Sequence, residues 1–156
     1  MISVDLKNTL LARIDIVFKT VDITKAFRQF PIWGSGDLLS DEIFNFDWLN
    51  FDPIKLDQYF DIWLCFSAEG FRGFSNPALK AILNNPDRAD ESAVIGGYLS
   101  CISEDPSTWL AEFSGEELET LIDCLNYFAN NSKSKDDYLY IIEAVKQFIR
   151  QNRTTF

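Results

Sequence analysis

The sequence of 156 residues contains no histidine. Histidine is the commonest general base near neutral pH and the commonest transition-metal ligand in proteins. Carboxylates, lysines, tyrosines and cysteines remain as chemically active groups, so the absence of histidine disfavours an enzyme without excluding one. We therefore expect no catalytic residue, no metal site and no cofactor. A carboxylate-based or metal-assisted enzyme is retained only as the third of three functional hypotheses.

Cysteine is also scarce. Cys65, Cys101 and Cys124 form an odd set without a Cys-x-x-Cys pair, and each lies within an apolar pattern. These features predict reduced thiols in or near the core of a cytosolic protein. Because paired cysteines or histidines normally hold zinc, iron and copper, the sequence predicts no site for these metals.

Long apolar segments and phosphate-binding loops are missing as well. The longest uninterrupted apolar run extends from Ile62 to Phe66, which is far too short to span a bilayer. The first seven residues lack the basic start and apolar stretch that are typical of a signal peptide. The short glycine motifs at 34–36 and 70–73 lack the strand-to-helix setting of a phosphate loop. We expect a cytoplasmic protein that does not associate with membranes.

Basic residues are absent from one long segment. No Lys or Arg occurs between Arg88 and Lys133, whereas nine acidic residues do. This segment therefore contributes −9 to a formal net charge of −10. Nucleic-acid binding is disfavoured, because a phosphate backbone requires a surface of the opposite sign. The acidic residues of the segment are Asp90, Glu91, Glu104, Asp105, Glu112, Glu116, Glu117, Glu119 and Asp123.

What is present in quantity is helical periodicity. Apolar residues recur at helical spacing along the whole chain, and aromatic residues make up 15% of it. The pattern predicts one all-α domain over residues 1–156, with eight or nine short helices around a core rich in Phe and Leu. The main apolar stripes are Leu6, Leu10, Ile14, Val17 and Phe18; Leu118, Leu121, Ile122, Leu125 and Phe128; and Tyr138, Ile141, Ile142, Val145 and Ile149.

Helix starts and stops are marked by capping residues and prolines. Ser114-Gly115-Glu116-Glu117 is a capping box, and the Asp52-Pro53 and Asp105-Pro106 pairs are typical of helix starts. We predict a short helix over 23–30 and a loop over 31–37. Ser67 is expected to cap a short turn, with a separate helix beginning at Asn76-Pro77.

Two local patterns allow more than one interpretation. Residues 43–51 fit a short helix, which we favour, but alternate well enough for a minor β-strand. Gly96 and Gly97 fall within a predicted helix, where each costs about 1 kcal/mol relative to Ala. Close backbone packing is the favoured explanation for the two glycines, and the approach of a ligand is the alternative.

The middle of the chain carries a motif, Phe-Ser-Ala-Glu-Gly-Phe-Arg at 66–72, followed by Asn-Pro-Ala-Leu at 76–79. On these residues the chain resembles an uncharacterised family of small, acidic, helical bacterial proteins. Gly73 and Asn76 depart from the family's pattern. We expect Phe71 and Phe74 to pack in the core and Arg72 to pair with a nearby carboxylate.

Proteins of this kind are similar in size, charge and helicity to immunity proteins of bacterial toxin systems, including contact-dependent growth inhibition. This similarity implies a cytosolic protein that neutralises a cognate toxin, in particular a basic nuclease domain. The alternative is an acidic interaction module, including an inhibitor that mimics nucleic acid. The oligomeric state is not predicted.

The predicted binding surface is one face of the helix that follows Ser114. Glu116, Glu119 and Asp123 lie opposite its apolar stripe, with Tyr127 one turn further on. Together with Glu112, which precedes the helix, these residues are the candidate contacts for a basic protein partner. A solubilising acidic face is the simpler interpretation of the same residues.

Overall fold

The computed structural model describes residues 2–18, 26, 51–57 and 66–152. This part of the chain contains seven α-helices and one short 3-10 helix, and no β-strand. The predicted all-α fold is therefore confirmed. The elements are α1 (Ile2–Val17), the 3-10 helix (Pro53–Leu56), α2 (Ala68–Asn84), α3 (Pro86–Asp90), α4 (Ala93–Glu104), α5 (Pro106–Trp109), α6 (Gly115–Asn131) and α7 (Lys135–Gln151).

Several sequence predictions fall on residues that are not described. The helix predicted over 23–30, the loop over 31–37 and most of the ambiguous segment 43–51 lie outside the described ranges. Cys65 also lies outside them. At that start the structure shows a single 3-10 turn, Pro53–Leu56, with the Asp52 side chain accepting a hydrogen bond from the amide of Ile54.

Local capping signals set most of the helix starts. Ser114 caps α6 and forms the predicted capping box: Ser114 Oγ accepts from the amide of Glu117 at 3.1 Å, and Glu117 Oε1 accepts from the amide of Ser114 at 2.9 Å. Ser92 caps α4, and Asp105 caps α5 through the amide of Thr108. Such caps supply acceptors for amide groups that the first turn of a helix leaves unpaired.

Helix α2 differs from its prediction. It runs without interruption from Ala68 to Asn84, so the separate start predicted at Asn76-Pro77 is wrong. Asn76 does not cap α2, because its Nδ2 donates to the carbonyl of Phe18 at the end of α1, at 3.0 Å. Pro77 removes one hydrogen bond from the helix interior, at a cost of about 3 kcal/mol. Burial offsets this cost, since eleven of the seventeen residues of α2 are buried.

The central motif forms the middle of the core. Phe71 and Phe74 are fully buried, as predicted. The Phe71 ring stacks on Tyr98 with a centroid distance of 4.8 Å and contacts Trp109 at 5.1 Å. Aromatic pairs in these geometries add to the free energy of burial.

Arg72 holds two helices together from the edge of this core. Its guanidinium contacts Glu69 Oε1 at 2.6 Å within α2 and Glu117 Oε2 at 2.9 Å in α6. The hydrogen bonds to Glu69 are the largest contribution that raises the pKa of Arg72, which stays charged in any case. The predicted pairing of Arg72 with a nearby carboxylate is thus confirmed.

Helix α1 lies against α2 and α6. Leu10, Ile14 and Phe18 are buried, as the apolar stripe predicts. Leu6 is not: the residue is 47% exposed, so the buried stripe begins at Leu10, one turn later than expected. An exposed leucine at this end of α1 becomes relevant to the surface described below.

Gly96 contradicts the simple packing explanation. A Cβ atom built on Gly96 would meet no heavy atom within 4 Å, so close packing does not explain this glycine. The close approach occurs instead at Gly70, where a Cβ would lie 1.9 Å from the carbonyl oxygen of Ala26. That oxygen also accepts a hydrogen bond from the amide of Ser67 at 3.0 Å.

None of the described helices combines the length and the apolar character needed to cross a membrane. Of the described cysteines, Cys124 is a fully buried free thiol, and Cys101 is half-buried. Burial raises the pKa of the Cys124 thiol to about 12. A thiol that stays protonated is a poor nucleophile and a poor metal ligand.

A candidate partner-binding cleft between α1 and α6

The candidate contact residues occupy one side of α6 and the turn before it. Glu116, Glu119, Asp123 and Tyr127 follow one another at spacings of three and four residues, which places them on one face of the helix. Glu112 precedes this helix and is exposed, as are Glu116 and Glu119. The structure thus brings the helical members of the set together on a single surface.

The acidic segment is less uniform than its sequence indicates. The Glu117 side chain is buried against Arg72, and Asp123 is paired with Arg13 of α1. Asp90 accepts hydrogen bonds from Ser132 Oγ at 2.8 Å and from the hydroxyl of Tyr138. Glu117, Asp90 and the capping Asp105 stabilise the fold and are less available to a partner.

Three of the candidate acids have no such role. Within the part of the chain that the structure describes, no Lys or Arg side chain lies within ion-pair distance of Glu112, Glu116 or Glu119. Glu119 lies one turn before Asp123 on α6, and Glu116 lies two turns before it. Unpaired carboxylates therefore line up toward the position of Asp123.

At Asp123 the acidic face meets a cleft between α1 and α6. The cleft has a volume of about 680 Å³. Its walls combine apolar, amide and hydroxyl side chains with a single ion pair. The lining residues are Leu6, Thr9, Leu10, Arg13, Asp123, Asn126, Tyr127, Asn130 and Asn131.

The cleft contains residues that are not part of the binding surface predicted from the sequence. Leu6 was assigned to the core stripe, and its exposure places an apolar surface at the cleft. Asn126 and Asn130 are exposed and four residues apart on α6, on the same side as Tyr127. This asparagine spacing was visible in the sequence and could have extended the predicted face. The contribution of α1 could not have been found that way, because it depends on the packing of α1 against α6.

The ion pair in the cleft is only partly satisfied. Nη1 of Arg13 donates a hydrogen bond to Oδ2 of Asp123 at 2.5 Å, and Oδ1 accepts no hydrogen bond from a described residue. The two side chains are 31% and 45% exposed, respectively. Tyr127, one turn beyond Asp123, is half-buried, and its ring packs edge-on against Phe128 with a centroid distance of 6.4 Å. The cleft thus offers a carboxylate oxygen and an aromatic ring to an incoming group.

Two other clefts are less suited to binding a charged partner. The cleft between the 3-10 helix and α2 contains Lys80 and Arg88, but these side chains pair with Asp15 and Asp52. The cleft beside Tyr140 on α7 is smaller, with a volume of about 320 Å³. Over the described ranges, no group of three or more acidic or cysteine side chains is placed to hold a metal ion.

The arrangement between α1 and α6 is suited to binding. It offers a carboxylate, amides and an aromatic ring in one cleft, and Cys124, next to Asp123 on α6, is buried and protonated. The relationship of the central motif to a family stays a prediction. Comparison of the chain with protein-family models, with curated proteins and with solved structures finds no match.

Proposed function

We propose that this protein binds a basic protein partner through the acidic face of α6 and neutralises it, as immunity proteins neutralise bacterial toxins. The observation that carries the proposal is that the exposed carboxylates Glu116 and Glu119 on α6, and Glu112 in the turn before it, have no cationic partner among the described residues. The two carboxylates on α6 lead into a cleft where an aromatic side chain is half-exposed. The resemblance of the central motif to small acidic bacterial proteins supports the same function.

The physical mechanism would be occlusion without turnover. A net charge of −10 attracts a positively charged protein over distances of about the Debye length, roughly 8–10 Å at physiological salt. A nuclease toxin carries a basic cleft because it binds phosphate backbones. An acidic helix that occupies such a cleft excludes the nucleic acid. The carboxylates would set the association rate, and the packed groups of the cleft would slow dissociation.

The test is charge reversal on α6 with a matched control. Glu116→Lys with Glu119→Lys changes the net charge by four units at the candidate face. Glu91→Lys with Glu104→Lys makes the same change at other exposed positions outside the α6 face. Asp123 is left intact, because its reversal would also break the contact with Arg13. Reversal at Glu116 costs up to about 1 kcal/mol through the helix dipole, so thermal melts accompany the binding data.

The partner is first captured with the wild-type protein from cells that produce the chain and is then purified. We expect the α6 double variant to weaken its binding by one to two orders of magnitude, and the control variant to bind within about threefold of wild type. The wild-type association rate should fall as salt rises. Equal binding by all three proteins would contradict the proposal. Capture of a regulator whose activity is not inhibited would favour the interaction-module alternative over an immunity protein.

A further inference from the structure

The Arg13–Asp123 contact shows how the α1–α6 cleft holds a guanidinium group. A carboxylate can bind an arginine through two parallel hydrogen bonds, one to each oxygen. Here only Nη1 of Arg13 donates a hydrogen bond, and it donates to Oδ2. Oδ1 of Asp123 accepts no hydrogen bond from a described residue, and the carboxylate is 45% exposed. The cleft thus keeps half of an arginine-binding carboxylate open.

Tyr127 supplies a second feature that suits arginine. It lies four residues after Asp123 on α6, so both side chains project from one face into the same cleft. A planar guanidinium can bond to a carboxylate edge while it stacks on an aromatic ring, whereas a lysine ammonium is a point charge that remains strongly hydrated. A carboxylate beside an aromatic ring therefore favours arginine over lysine.

The remaining cleft residues suit the peptide backbone that would carry this arginine. Asn126 and Asn130 have exposed side chains without hydrogen bonds to described residues. Each amide offers a donor and an acceptor, which matches the N–H and C=O groups of an extended chain. Leu6 is 47% exposed at the cleft and can cover an apolar neighbour of the arginine.

We propose that the α1–α6 cleft binds an arginine side chain carried on an extended segment of the basic protein partner. The guanidinium bonds to Oδ1 of Asp123 and stacks on Tyr127, and the amides of Asn126 and Asn130 bond to the segment's backbone. Arg13 competes for the same carboxylate from within the chain. This inference rests on the proposed function for the identity of the partner as a basic protein, but the cleft can be tested without that partner.

The probes are three blocked tetrapeptides, Gly-Leu-Arg-Gly and its lysine and citrulline analogues. Citrulline keeps the shape of arginine but is neutral. Amide chemical shifts of the labelled protein are followed by NMR as each peptide is added. We expect the arginine peptide to shift residues 6–13 and 123–130, to bind about fivefold more tightly than the lysine peptide, and to lose its effect when citrulline replaces arginine.

Variants distinguish recognition of arginine by the cleft from non-specific attraction of a positively charged peptide to an acidic protein. Asp123→Asn keeps the shape of the side chain and should weaken arginine-peptide binding about tenfold, whereas Glu104→Gln, which removes the same charge elsewhere, should leave it unchanged. Tyr127→Leu should abolish the preference for arginine over lysine. Arg13→Gln should strengthen arginine-peptide binding, because the competitor is gone. A merely structural Arg13–Asp123 pair would give no such gain, and thermal melts identify variants that fail to fold.

The outcomes distinguish this inference from the proposed function. Equal shifts by the arginine and lysine peptides, scattered over exposed acids such as Glu91 and Glu143, would overturn arginine recognition. So would an absence of shifts in the cleft. If the peptides fail but reversal of Glu116 and Glu119 still abolishes capture, the partner docks on the acidic face alone. If the peptides succeed but capture is insensitive to that reversal, the cleft recognises arginine and the proposed function is wrong.

Discussion

At the scale of single residues, Phe71 is the side chain on which the core depends most clearly. It is fully buried between Tyr98 and Trp109 and also contacts Phe113. We expect Phe71→Ala to lower the free energy of unfolding by about 3–5 kcal/mol, as truncation of a buried aromatic residue does. Urea denaturation followed by circular dichroism measures the loss.

The control for this substitution is Ile16→Ala. Ile16 is 67% exposed on α1, so its truncation should change the free energy of unfolding by no more than about 0.5 kcal/mol. A loss below 1 kcal/mol for Phe71→Ala, together with reduced partner binding, would mean that Phe71 contacts the partner.

The two contrasting glycines lead to a second prediction. Gly96 is exposed inside α4, and a Cβ there meets open space. We expect Gly96→Ala to stabilise the protein by about 0.5–1 kcal/mol, because alanine restricts the unfolded chain and favours the helix. Gly70→Ala should instead destabilise it, because the new Cβ would clash with the Ala26 carbonyl at 1.9 Å. Thermal melts of the two variants compare them directly, and a loss of stability in Gly96→Ala would refute the argument.

Residue-level roles were predictable from the sequence only where local context determines them. The burial of Phe71 and Phe74 follows from apolar spacing, and the Ser114 capping box from four adjacent residues. The partner of Asp123 could not be predicted, since Arg13 is 110 positions away. Arg72 was expected to find a carboxylate, but its link to Glu117 spans 45 positions and removes that acid from the binding surface. Long-range pairs of this kind depend on how helices pack, which periodicity does not specify.

At the scale of helices, the residues at which helices begin were predicted better than whether a helix continues without a break. The predicted caps at Ser114 and Asp105 are local signals, and helices begin directly after those residues. The prediction failed in α2, because an Asn-Pro pair looks like a helix start when its surroundings are unknown. The side-chain amide of Asn76 donates to the carbonyl of Phe18 and so does not cap a helix. Burial of one face of α2 keeps the helix continuous through Pro77. Tertiary contacts therefore overrode the local helix-start signal.

The cleft is also a property of paired helices. The sequence identified the acidic side of α6, because helical spacing places its acidic and its apolar residues on different faces. It did not identify α1 as the other wall, and it placed Leu6 in the core. The exposure of Leu6 and the reach of Arg13 toward Asp123 follow from the position of α1 against α6. Half of the candidate site was thus predictable, namely the half that lies on one helix.

For the whole molecule, a buried thiol and two tyrosine hydroxyls that stay protonated predict a loss of stability at alkaline pH. The pKa of the Cys124 thiol is raised by burial to about 12, from an ordinary value of 9.0. Burial also raises the pKa values of the Tyr98 and Tyr138 hydroxyls. The folded state therefore holds protons that the unfolded chain releases. The stabilisation is complete below pH 9 and is lost as the pH rises through the folded-state values.

The free energy of unfolding should fall by about 1.4 kcal/mol per pH unit for each group that ionises only in the unfolded chain. Urea titrations between pH 8 and pH 11 measure the slope, and Cys124→Ala should reduce it by removing one such group. A free energy of unfolding that stays constant across this range would show that these groups ionise equally in both states.

The packing of α1 against α6 also has a consequence in the order of synthesis. The ribosome makes α1 first, but Asp123 and Tyr127 are added only after more than a hundred further residues. The Asn76 amide that holds the end of α1 also comes later than the helix it fixes. A chain whose translation stops before α6 therefore presents one wall of the cleft without the other. Only a polypeptide that includes both α1 and α6 can offer the assembled cleft, so partner capture would report that translation has passed α6 as well as the presence of the protein.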